Sequence, residues 1–151
     1  MAMLDSYVYH ADLEWTGGRS GVLREEGLPI LEVSAPPEFH GEAGKWTPEQ
    51  LLVASSSSCL MSTFLALAER SGLHVFSYRA AAFGRLENVP GEGYRFTEIS
   101  LVPEIGVAGE DVERALKILL KAEKNCFVGK SLRAAVQVEP KFIHETVSVA
   151  G

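Results

Sequence analysis

Two side chains in this sequence can do chemistry at sulfur, Cys59 and Cys126. Such a pair admits three readings. The first is inert packing, since free cysteine is among the most buried residue types. The second is metal ligation, and the third is a redox couple. The four histidines, His10, His40, His74 and His144, stand in no HxxxH spacing and no CxxC occurs, so no metal site is expected. A secreted chain of this size held by disulfides would carry more cysteines than two.

Cys59 closes the run Ser55-Ser56-Ser57-Ser58-Cys59. On a helix its neighbours three and four residues away are Ser55, Ser56, Ser62 and Thr63, so the thiol faces small polar groups. The same small residues suit a close helix–helix crossing, and both readings stand. A reactive thiol must be a thiolate, and a mid-helix cysteine gets no help from its own helix N-terminus. It needs a cation. Arg19, in Thr16-Gly17-Gly18-Arg19-Ser20-Gly21, can supply a guanidinium that never loses its proton. Once buried, that guanidinium needs an anion. Glu49, in the first turn of the helix, is the candidate, and the helix dipole favours its charged form. The bland roles, a solvated turn residue and a first-turn acid, fit the spacing as well.

Cys126 lies in Lys124-Asn125-Cys126-Phe127-Val128-Gly129-Lys130, near the end of a second helix. The negative end of a helix dipole disfavours a thiolate, which suits Cys126 to the partner thiol or to a core position. Leu60, Met61 and Phe64 follow the first thiol closely. With Phe39 and Trp46 they are candidate walls of an apolar, substrate-binding pocket. Such a pocket binds a ligand by burying its apolar surface.

These residues need a frame. Tyr7 to Trp15 alternates like a strand, Gly17-Gly18 turns, Arg19 to Glu25 returns antiparallel, and Leu28 to Ser34 is a third strand. Thr47-Pro48-Glu49-Gln50 combines an N-cap threonine, a proline at the first helical position and a glutamine three residues after the cap. Helix is expected from Pro48 to about Ser71, ended by Gly72. At roughly 36 Å it must run through the middle of the molecule. Val75 to Arg85 and Tyr94 to Leu101 form a hairpin around Asn88–Gly93. Glu110 to Asn125 is a second helix, with Val112, Ala115, Leu116, Leu119 and Leu120 on one face. Leu132 to Val138 and Phe142 to Val149 close the chain as strands. The expected class is α+β with antiparallel sheets in a single domain spanning residues 1–151.

Charge excludes several functions. The 151 residues carry a formal net charge of -6, which opposes binding to nucleic acid or to an anionic membrane surface. No basic n-region and apolar h-region open the chain, and no apolar run is expected to reach the length of a membrane span. The expected location is therefore cytoplasmic. No P-loop, dinucleotide fingerprint or GxSxG elbow is present.

Taken together, Thr16-Gly17-Gly18-Arg19 with Gly21, Ser34-Ala35-Pro36-Pro37-Glu38-Phe39-His40-Gly41, Thr47-Pro48-Glu49-Gln50-Leu51-Leu52, Cys59 and Cys126 resemble the OsmC/Ohr family of organic hydroperoxide reductases, in family order and spacing. The resemblance implies an intertwined homodimer, with antiparallel sheets wrapped around paired central helices and sites at the subunit interface. It implies that Cys59 is the peroxidatic thiol, Cys126 the resolving thiol, and Arg19 with Glu49 the activating ion pair. It implies no metal, haem or other cofactor, an organic hydroperoxide as substrate, and a dithiol reductant that is a lipoylated protein in one branch. Phe127 and Gly129 depart from the pattern, standing where the family usually has proline and serine. The alternative function is a dimeric module of the same type that binds an apolar ligand with little or no peroxidase activity.

Glu49 and Cys59 are ten residues apart, about 15 Å along a continuous helix and about 80° apart in direction. Either the helix breaks near Ser55, or Glu49 of one subunit serves Cys59 of the other. The unbroken pattern from Thr47 to Gly72 favours the second.

Overall fold

A computed structural model describes residues 3–144. The chain divides into two compact units between Leu51 and Leu52. The N-terminal unit holds an antiparallel sheet in the order β1-β2-β3, from Asp12–Gly17, Ser20–Arg24 and Leu31–Ser34. The first strand starts at Asp12 rather than Tyr7. Asp12 pairs with Arg24, the last residue of β2, so the residues before it have no strand to pair with. His10 reaches instead for the Glu25 carboxylate, at 2.6 Å.

α1, Pro48–Arg70, runs unbroken. Its capping box forms as the sequence dictates. The Gln50 N–H donates to Thr47 Oγ1 at 3.1 Å, and the Thr47 N–H donates to Gln50 Oε1 at 3.2 Å. Gly72, at φ 66°, ends the helix in a backbone region that side chains disfavour.

In the C-terminal unit β4, Ser77–Val89, and β5, Gly93–Gly106, form a long antiparallel hairpin. β6, Ala135–Val138, and β7, Lys141–Ile143, then pair with β5 in parallel. The expectation of purely antiparallel sheets is therefore corrected. The connection from β5 to β6 crosses over through helices, and such a crossover permits parallel pairing. The expected extension of the last strand to Val149 lies outside the described residues.

α1 buries Ser56, Leu60, Phe64 and Ala68, a stripe at four-residue spacing. Leu60, Phe64 and Ala68 pack with Ile99, Leu101 and Ile105 of β5. Burial contributes roughly 1.5–3 kcal/mol for each large side chain. Gly84 of β4 allows close approach, because a Cβ there would stand 2.5 Å from Val53 Cγ2. α2, Val112–Asn125, closes the core with Ala115, Ile118, Leu119 and Ala122. Leu116 and Leu120, expected on that face, are exposed instead. The buried stripe turns by one residue, onto Ile118 and Ala122. A four-residue helix, α3 at Phe127–Lys130, was not expected.

By length and apolarity alone α1 could cross a membrane, a test that the core helix of a globular protein also passes. Its inner stripe is committed to the core.

Candidate active site

The fold brings the two cysteines together. Cys59 sits on α1 beside the buried Leu60, on the flank of the core stripe, and is half-buried. Cys126 is buried at the junction where α2 stops and α3 starts, with an extended backbone at φ -69° and ψ 115°. Both thiols are free.

Their electrostatics differ in sign. Burial pushes the Cys59 thiol up, since desolvation penalises the thiolate. Hydrogen bonds outweigh it: the Val128 N–H, the Cys126 thiol, the Thr63 hydroxyl and the Phe127 N–H all point at the sulfur, and its pKa ends below the ordinary thiol value. Cys126 goes the other way. Burial raises it first, and the adjacent Cys59 sulfur raises it further, against a lowering from the Gly129 N–H. Of the two thiols, Cys59 is therefore the readier to ionise.

Sequence reasoning missed the source of that stabilisation. The donors are mainly backbone groups from elsewhere in the chain rather than a cation. Phe127 and Val128 open α3, where the first N–H groups of a helix have no carbonyl to bond. The sequence signal was present: Asn125-Cys126 ends one helical pattern, and Phe127–Lys130 begins a new turn. Of the neighbours named for Cys59, Thr63 acts directly on the sulfur, whereas Ser62 donates to the Cys59 carbonyl at 3.1 Å.

Arg19 belongs to the N-terminal unit and follows the Gly17-Gly18 turn. Its backbone is pinned, its carbonyl accepting from the Ala35 N–H at 3.1 Å and from Ser34 Oγ at 3.2 Å. Its side chain is exposed and lines a hollow of about 340 Å³ with Ser20, His40, Glu42 and Lys45. Lys45 bonds Glu42 at 2.8 Å and holds that carboxyl below its usual range. Among the described residues no ion pair joins Arg19 to Glu49 or to any other carboxylate. Glu49 is partly buried, and its Oε2 is buried without a hydrogen-bond partner among the described residues.

Leu60 lines a cavity of the C-terminal unit, whereas Phe64 is fully buried in the core against Tyr78. Met61 is partly exposed on α1. Phe39 and Trp46, in the N-terminal unit, are 40% and 49% exposed.

Comparison with known proteins places this geometry. A family model described as OsmC-like protein matches residues 40–141. The uncharacterized protein YmaD of Bacillus subtilis is 28% identical over 142 residues, covering 91% of this chain and 93% of that protein. The structure of an OsmC-like protein of unknown function from Vibrio cholerae superposes with a TM-score of 0.81 at 24% identity, covering 89% of this chain and 99% of that one. An organic hydroperoxide resistance protein from Elizabethkingia anophelis superposes with a TM-score of 0.71 at 22% identity, covering 92% and 99%. At these identities the two solved structures establish a shared fold.

Proposed function

The chain belongs to the OsmC-like protein family, and from that premise we propose that it is a thiol-dependent peroxidase that reduces organic hydroperoxides to alcohols. The observation that carries the reading is the contact between a thiol held below its ordinary pKa, Cys59, and one held above it, Cys126. The same fold in a protein named for organic hydroperoxide resistance supports the substrate class.

In this reading the Cys59 thiolate attacks the distal oxygen of the hydroperoxide. The O–O bond breaks, the alkoxide takes a proton and leaves as alcohol, and Cys59 becomes a sulfenic acid. The N–H groups of Phe127 and Val128 hold the thiolate before the attack. Arg19 stabilises the negative charge developing on oxygen, and Glu49 holds Arg19. The Cys126 sulfur then displaces water from the sulfenic acid and forms the Cys59–Cys126 disulfide. A dithiol, carried on a lipoylated protein, returns the pair to thiols by exchange. The working form is a homodimer. The large uncovered area of the apolar α1 supports this, as does the partnerless buried oxygen of Glu49.

The test is a thiol count. Titration with cumene hydroperoxide should remove two free thiols per chain, and dithiol should restore both. Cys59→Ser should consume no peroxide, because a hydroxyl there stays protonated. Cys126→Ser should complete one turnover and stop with an oxidised Cys59. Retention of both thiols under excess peroxide would reject the reading in favour of a ligand-binding module. A kcat/KM for hydrogen peroxide above that for cumene hydroperoxide would reject the substrate class.

A further inference from the structure

A cavity of about 450 Å³ opens beside Cys126 in the C-terminal unit. That volume falls within the usual range of small-molecule sites, about 300–1,000 Å³. Leu60, Leu101, Val136 and Val138 give it apolar walls, and Lys124 and Lys130 add charge. Cys126 is among the residues that line it, and Cys59 is not. Gly129 also lines it, and a Cβ there would stand 3.6 Å from Cys126 Sγ. A bare glycine thus sets no Cβ against the sulfur on that side, where Cys126 meets the cavity at 4% exposure overall. A second observation points to an occupant. Ser56 lines the same cavity at 1% exposure, and its Oγ finds no hydrogen-bond partner among the described residues. An unpaired hydroxyl in an apolar wall costs stability unless something polar meets it.

We propose that this cavity admits the thiol reductant, a molecule whose sulfur sits on a flexible aliphatic arm, and that the reductant attacks the oxidised pair at Cys126 rather than at Cys59. The proposal rests on the redox pairing proposed above and adds the route of reduction. The incoming thiolate forms a new S–S bond to Cys126 Sγ, the Cys59–Cys126 bond breaks, and Cys59 leaves with the electron pair as a thiolate. The second thiol of the dithiol, deprotonated, attacks the reductant's own bridging sulfur. That closes a cyclic disulfide on the reductant and releases Cys126, which takes up a proton. Two electrons pass from dithiol to protein. The direction suits the leaving group, since the backbone donors on Cys59 receive the departing thiolate, and a better-stabilised thiolate leaves faster.

The experiment starts from the full chain oxidised with diamide, so that the disulfide forms without any peroxidase activity. It is then reduced with 2-mercaptoethanol, 4-mercaptobutanol or 6-mercaptohexanol. Samples are quenched in acid before one turnover, alkylated, and mapped by peptide mass spectrometry. The expected adduct is on Cys126, with Cys59 alkylated. The rate constant should rise with arm length, by up to about fourfold per methylene buried. A Leu120→Trp variant places bulk on the cavity wall at a residue that is 51% exposed. It should flatten the dependence on arm length while leaving oxidation by diamide unchanged. An adduct on Cys59, a wild-type rate indifferent to arm length, or a folded Leu120→Trp chain with an undiminished dependence would each overturn the proposal. Failure of diamide to join the two thiols would overturn both this route and the redox pairing itself.

Discussion

Cys59 and Cys126 are adjacent thiols of opposite shift: burial raises both, hydrogen bonds led by the Val128 N–H bring Cys59 below the ordinary thiol value, and the neighbouring Cys59 sulfur helps keep Cys126 above it. The pair therefore loses its first proton from Cys59. Thiols are alkylated as thiolates, so reactivity rises as pH climbs through the pKa. Iodoacetamide should modify Cys59 with a midpoint below the ordinary cysteine value and Cys126 with one above it, resolved by peptide mass spectrometry. Cys126→Ala should move the Cys59 midpoint upward, because it removes a donor to the thiolate. A common midpoint for both thiols would contradict the assignment.

Phe127 contributes to the site through its backbone, since its N–H points at Cys59. Proline at this position would remove that donor with little steric cost. The position is the first of a helix, where proline is well accommodated, and Cys126 already has the extended conformation required before proline. Phe127→Pro should therefore keep the fold and slow alkylation of Cys59 at neutral pH severalfold, by raising its pKa. An unchanged pH profile in a folded variant would remove Phe127 from the site.

The central helix and the two sulfurs were legible because strong local signals fix them. The Thr47–Gln50 box and Gly72 bound α1, and the fold follows both. The meeting of Cys59 with Cys126 is a long-range contact that no local pattern encodes, and it came only through family resemblance. The parallel pairing of β6 and β7 was hidden because both strands are short, and pairing direction depends on a crossover rather than on periodicity. The α2 face was misjudged by one residue, since Leu116 and Leu120 are as apolar as the Ile118 and Ala122 that the core took. The donors to Cys59 were missed because every residue but proline carries a backbone N–H.

Gly84 sets how closely α1 lies against β4. A Cβ there would meet Val53 Cγ2 at 2.5 Å and Phe96 Cε1 at 2.8 Å, closer than packed carbons tolerate. Gly84→Ala should destabilise the protein by about 1–3 kcal/mol, the usual cost of overpacking a core. Urea denaturation with an unchanged m-value checks it. A neutral result would mean that α1 shifts outward without penalty.

The last expectation concerns where Glu49 acts. α1 is unbroken from Pro48 to Arg70, so the alternative of a fold-back near Ser55 is not taken. Ten residues of continuous helix separate Glu49 from its own Cys59 by about 15 Å, beyond what one guanidinium bridges. Glu49 also has a buried Oε2 with no partner among the described residues, and a buried carboxylate oxygen is costly without a donor. Both facts are met if Glu49 serves the thiol of the second subunit in an antiparallel pair of α1 helices. Glu49→Ala and Cys59→Ser homodimers should each be inactive. On mixing, unfolding and refolding together, the heterodimer places both lesions at one site and leaves the other intact. At equal mixing half of the dimers are heterodimers with one working site, so about a quarter of wild-type activity should return by simple subunit statistics. If Glu49 acts within its own chain, both sites of the heterodimer are broken, and no activity on mixing would reject the cross-subunit arrangement.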